Sequence, residues 1–137
     1  MKFNSLIPEF SVTDFNRSIN FYVNTIGFKI EYQREEKMFA FLSLGNSQIM
    51  IEQINEYWKT GDPLEYPLGR GINFQFEVEE IQPLIEILEK GNYPIFVPPE
   101  DNWYRVEGRE WGSREFLVLD PDGYMLRFSE DLGYKDL

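Results

Sequence analysis

A single supersecondary pattern occurs twice in this chain, and that constrains its fold more than any other feature. "VTDFNRSINFYVNTIGF" (Val12 to Phe28) and "VEEIQPLIEILEKGNY" (Val78 to Tyr93) each run from a valine through acidic residues into an amphipathic helix, a glycine and an aromatic. A unit repeated in this way cannot bury its apolar face alone and packs against another copy.

In the first copy Phe15, Ile19, Tyr22 and Ile26 recur at helical spacing, with Asp14 as N-cap and Gly27 in the left-handed position that ends the helix. "LIPEFSV" precedes it as a strand, and "FKIEYQ", "MFAFLSLG" and "SQIMIEQI" follow as three more. In the second copy "INFQFEV" is a strand. The helix in "EEIQPLIEILEKG" puts Ile81, Leu84, Ile85 and Leu88 on one face, with Pro83 in its first turn and Gly91 at its end. "YPIFV", "EFLVLD" and "YMLRFSE" then read as strands, the last two joined across Pro121-Asp122-Gly123. The expected architecture is α+β, with two βαβββ modules in tandem forming curved mixed sheets. Residues 1–54 and 71–137 are the modules, and the Pro- and Gly-containing stretch 55–70 links them within one structural domain.

The 137 residues carry a net charge of -11. Nucleic-acid binding, which depends on Lys and Arg neutralising phosphates, is disfavoured, as is an anionic membrane surface. A cationic partner is favoured electrostatically, although acidity also serves plain solubility. With no cysteine and no histidine, disulfides, thiolate metal sites and the Ser-His and Cys-His pairings are excluded. The sequence has no apolar run of membrane-spanning length, and a cytoplasmic protein is expected. Adjacent carboxylates such as Glu35-Glu36 and Glu79-Glu80 point different ways and read as solvated charge.

Taken with the doubled βαβββ unit, Asp14, Ser18, Phe21, Tyr22, Gly27 and Phe28, together with the closing "FLVLDPDGYMLRF", give the chain its likeness to a known family. It resembles the vicinal oxygen chelate superfamily of glyoxalase I, extradiol dioxygenases, and fosfomycin and bleomycin resistance proteins. Pro8, Phe10, "IMIE", "EWGS" and Arg127 within "DPDGYMLRF" make it most similar to the bleomycin-binding members. The resemblance implies the glyoxalase/bleomycin resistance fold and a homodimer with ligand grooves between chains. It also implies that metal-dependent members would place their ligands at Ile7, Met50 or Glu52, Asn73 and Arg127. Of these only Glu52 is a good donor, so no cofactor and no catalytic residue are expected.

What the resemblance implies instead is a protein that sequesters a flat, cationic, bleomycin-type drug without transforming it. Such a ligand needs aromatics for stacking and carboxylates for its charge. Tyr32, Phe39 and Phe41 on strands, and Trp103, Tyr104 and Trp111 in a long loop spanning Pro98 to Arg114, are the stacking candidates. Glu52 and Glu110 supply negative charge, while Arg127 either pairs with Glu52 or another acidic neighbour or contacts the ligand. Two alternatives stand beside this reading: a metal-dependent enzyme acting on a small oxygen-rich substrate, and a dimeric module binding another metabolite.

Overall fold

Alternation along the first strands decides which sheet face meets the helix. In the computed structural model, which describes residues 1–55 and 62–137, β1 (Glu9–Val12) runs parallel to β4 (Ser47–Gln53). β3 (Phe39–Leu44) and β2 (Lys29–Arg34) follow antiparallel, giving the order β1-β4-β3-β2. The register puts Phe10, Ala40, Leu42, Ile49 and Ile51 on one face, all buried. Burying each large side chain there stabilises the unit by about 1.5–3 kcal/mol. Glu9, Phe39, Phe41, Met50 and Glu52 take the opposite, open face. β1 is shorter than expected, because Pro8 has no N–H to give a ladder; its carbonyl instead accepts from Met50 N at 2.8 Å.

The helical segment departs from a regular helix. α1 spans only Phe15–Ile19, with the Asp14 side chain accepting from Arg17 N at 3.1 Å, and the chain then widens into a π-helical stretch, Asn20–Ile26. The wider turn shifts the stripe: Phe15, Ser18, Phe21, Tyr22 and Ile26 are buried, while the expected Ile19 is only half-buried. Gly27, at φ 103°, ends the stretch as its sequence position predicts.

Met1–Arg70 forms one compact unit together with the turn Asp120–Gly123. The turn reads in sequence as a plain hairpin connection, but its two carboxylates are buried polar anchors. Asp120 accepts from Tyr22 Oη at 2.6 Å; Asp122 accepts from Thr13 N at 3.1 Å, from Thr13 Oγ1, and from Arg17 Nη2 at 3.1 Å. Residues 56–61 of the expected linker lie outside the described residues.

The second unit, Gly71–Leu119 with Tyr124–Leu137, repeats the topology. β5 (Asn73–Val78) runs parallel to β8 (Met125–Asp136), and β7 (Arg109–Leu119) and β6 (Val97–Val106) complete the order β5-β8-β7-β6. α2 (Gln82–Lys90) and the residue before it bury the expected stripe of Ile81, Leu84, Ile85 and Leu88; Phe76, Phe116, Val118, Leu126 and Phe128 are the buried apolar sheet residues of this unit. The N-cap residue Ile81 has no polar side chain to cap α2. Glu130 Oε1 of β8 accepts from Ile81 N at 3.0 Å instead.

The stretch Pro98 to Arg114, expected to be a loop, is a long hairpin. β6 and β7 pair almost to their ends and turn at Glu107-Gly108, where φ is 47° and 82°. Positive φ at both central residues suits a tight two-residue hairpin turn, but Glu-Gly lacks the Asn-Gly or Asp-Gly signature that marks one in sequence. The strand expected at "YPIFV" begins only at Val97. Among the described residues, no helix is long and apolar enough to cross a membrane.

Candidate functional site

The open face of the first sheet carries a cavity of about 640 Å³, lined by Glu9, Arg34, Glu36, Lys37, Met38, Phe39, Met50, Glu52 and Asn55. Strand register explains the grouping: Phe39 lies opposite both Glu52 and Arg34, while Glu9 lies opposite Met50. The Glu9 carboxyl is pushed up to about 7, first by burial, then by its hydrogen bond to Glu52 and the repulsion of that carboxylate, with Arg34 pulling the other way. Near neutral pH Glu9 therefore keeps its proton part of the time, hydrogen-bonded to Glu52. The Arg34 guanidinium lies 4.1 Å above the Phe39 ring centre and 5.6 Å from that of Tyr32. A cation already sits over an aromatic here, beside two carboxyls.

Tyr32 and Phe41 stack at 5.3 Å with an 8° interplanar angle, and Phe3 packs edge-on against Phe41 at 5.3 Å. Phe41 is fully buried and Phe39 is 3% exposed, so Tyr32 is the more accessible of the three expected stacking residues on this sheet.

The open face of the second sheet is organised around a carboxylate. Glu115, 3% exposed, accepts from Ser113 Oγ at 2.6 Å, Asn102 Nδ2 at 3.0 Å and the Tyr104 phenol, with Arg127 Nη1 at 3.8 Å. Burial pushes this carboxyl up, but the hydrogen bonds from Ser113, Tyr104 and Asn102 and the Arg127 charge outweigh it and hold the group below its ordinary range. The Tyr104 phenol is raised in turn, by burial and then by the hydrogen bond to Glu115. Tyr104 stacks on Trp111 at 6.0 Å and 28°, and Trp111 Nε1 donates to Asp131 Oδ1 at 2.9 Å.

Strand alternation separates the remaining candidates. Tyr104 pairs with Trp111, whereas Trp103 pairs with Gly112 and Arg105 with Glu110, so Trp103 and Glu110 point to the opposite face of the hairpin. The Trp103 ring lies over Gly112, where a Cβ would come within 2.7 Å of it, and Lys135 Nζ is 4.0 Å from its centre. It covers its own strand and not the open face. Arg127 meets Glu115, the acidic neighbour the sequence left unnamed.

Glu9, Arg34 and Glu115 escaped the sequence reading. No local signal marks Glu9, which only the register of β1 on β4 sets beside Met50. For Glu115 the signal was hairpin register, which sets it diagonal to Arg127 across the Asp-Pro-Asp-Gly turn.

The positions at which metal-dependent relatives would hold an ion do not fit one here. Ile7 has no donor atom, Asn73 offers a weak amide, and Arg127 brings a guanidinium already turned to Glu115. Among the described residues, no group of three or more His, Cys, Asp or Glu is placed to hold a metal.

Comparison with known proteins identifies a family and a fold. The family model "Glyoxalase/Bleomycin resistance protein/Dioxygenase superfamily" matches residues 6–128. The chain is 25% identical over 128 residues to mouse glyoxalase domain-containing protein 4, covering 93% of this chain but only 41% of that protein. It is 26% identical over 118 residues to the uncharacterized protein YraH of Bacillus subtilis (81% of this chain, 85% of that one). TioX from Micromonospora sp. ML1 shares the fold at a TM-score of 0.69 and 19% identity, with 94% of this chain and 99% of that one covered.

Proposed function

The chain belongs to the glyoxalase/bleomycin resistance protein/dioxygenase superfamily, and from that premise we propose that it binds and sequesters a flat, cationic small molecule without transforming it, a bleomycin-type antibiotic being the first candidate. The observation that carries this reading is the first-sheet cavity, where Glu9 and Glu52 stand beside Phe39 with a guanidinium already seated over the ring. Its volume falls within the range of small-molecule sites. A ligand's cationic group would take the place of Arg34, an exposed side chain at the rim, and favour loss of the Glu9 proton.

Calorimetric titration with bleomycin tests the reading. One drug per chain is expected, with Glu52→Gln weakening binding about tenfold, the scale of one hydrogen bond to a charged group. Absence of heat at drug concentrations of roughly 100 µM, a range that detects affinities of about -6 kcal/mol and tighter, would remove bleomycin as the ligand. The homodimer belongs to the same proposal; light scattering should report twice the mass of one chain, and a monomer would confine binding to the single chain.

A further inference from the structure

We propose that β6, the free edge of the second sheet, is where two copies of this chain join: it pairs antiparallel with the β6 of a partner copy, Trp103 against Trp103 and Asp101 against Arg105. The inference rests on the homodimer of the proposed function and gives that dimer an interface.

β6 is hydrogen-bonded on one side only, to β7, and of its 10 residues only Val97 and Asn102 are half-buried, the rest being exposed. Such an edge presents a row of unpaired N–H and C=O groups that templates another strand. The hairpin turn decides which groups are free. In a hairpin of this kind the residues flanking the turn, here Val106 and Arg109, form a hydrogen-bonded pair. By alternation Asn102, Tyr104 and Val106 turn their backbone groups to β7, whereas Asp101, Trp103 and Arg105 turn theirs to the open edge. Trp103 stands midway among these three, so a two-fold axis through it matches the free groups of one edge with those of the other.

The charges fit that axis. Within one copy Lys135, Glu110 and Arg105 stand opposite one another on β8, β7 and β6. Glu130, Arg114 and Asp101 do the same, Arg114 bridging to Asp101 at 2.8 Å and to Glu130 at 3.8 Å. Both rows alternate in sign, and they reach the β6 edge with opposite charges. Joined through the axis, Arg105 meets the partner's Asp101 and the alternation continues unbroken into the second copy. Between the two rows Trp103, 38% exposed, lies over Gly112, with Gly133 opposite Gly112 on β8, and supplies an apolar centre. Pairings shifted by two residues fit less well. One sets Asp101 against Glu107; the other brings in Pro99, which has no N–H to give.

Sedimentation and light scattering of the full chain test this with two variants that are each mismatched alone and matched together. Arg105→Asp sets acid against acid across the axis, and Asp101→Arg sets base against base. Each should weaken dimerisation by about tenfold or more, the scale of two cross-strand pairs changed from opposite to like charge. An equimolar mixture of the two variants, in which every facing pair is again of opposite charge, should recover the native dimer. In that native dimer the backbone N–H groups of Trp103 and Arg105 should exchange slowly with deuterium, and faster on dilution. A monomeric native chain would overturn both this inference and the homodimer. A native dimer that neither variant weakens, weakened variants that do not recover on mixing, or fast exchange at Trp103 in the dimer would overturn this interface and leave the homodimer standing.

Discussion

Glu9 in the first unit and Glu115 in the second both stand on the open face of a four-stranded sheet of the same topology, and the two sheets treat them in opposite ways. Glu9 is hydrogen-bonded to another carboxyl at the edge of a cavity, and its proton is held up to about 7. Glu115 is enclosed by a serine, an asparagine, a tyrosine and an arginine, and its proton is lost more readily than usual. The difference teaches that duplication conserved the frame and freed the face. Apolar residues pointing toward the helix repeat between the units, whereas the chemistry on the other side is set separately in each. One face leaves a pair of glutamates beside a cavity; the other uses a carboxylate to fix an aromatic platform.

The largest effect that would sharpen this contrast is on stability. Glu115→Ala leaves Tyr104, Ser113 and Asn102 without their acceptor and Arg127 without its counter-charge, and should cost about 3 kcal/mol in urea unfolding. Glu9→Gln, which removes a carboxyl that must hold a proton in the folded chain, should instead raise stability at pH 6. Equal losses in the two variants would break the comparison.

The pH dependence of stability should differ in sign as well as size. Glu9 is raised in the folded chain, so the folded state holds a proton that the unfolded state releases; stability should fall as pH rises from its ordinary carboxylate range toward about 7. Glu115 is lowered, so its contribution is complete above the ordinary range and is lost as pH falls through the folded value. Melting temperatures followed across this interval should lose their neutral-side slope in Glu9→Gln and keep it in Glu115→Gln.

A smaller effect concerns Arg34, whose guanidinium over Phe39 competes for the place a ligand cation would take. Arg34→Ala should tighten binding of a cationic aromatic by roughly two- to fivefold, the scale of an exposed cation–π contact, as read by calorimetry. Weakened binding would mean that Arg34 contacts the ligand instead of competing with it.

How much of this was legible in the sequence depended on which physical signal each residue left there. The doubled βαβββ order, the α2 stripe and the ends marked by Asp14 and Gly27 rest on periodicity and local chain preference, which sequence records directly. The π-helical stretch after Ile19, in which Phe21 and Tyr22 are both buried, leaves no mark in the local spacing. The 98–114 hairpin was hidden because both faces of β6 are largely exposed, so apolar alternation is missing, and because its turn is Glu-Gly. Among the candidate site residues, Tyr104, Trp111 and Arg127 share one face of the second sheet, whereas Trp103 and Glu110, named beside them because a loop reading carries no faces, lie on the other. Glu9 and Glu115 needed strand register, which joins residues more than ten positions apart.

The central claim is that the first-sheet cavity takes a cation in exchange for the proton on its glutamate pair. Calorimetric titration with 2-naphthylmethylammonium at pH 6 and pH 8 tests it most directly. With Glu9 near 7, the ionised fraction rises from about one tenth to about nine tenths, so affinity should increase roughly tenfold between the two conditions. The increase should disappear in Glu9→Gln. An affinity that is flat with pH in the native chain, or higher at pH 6, would contradict the account.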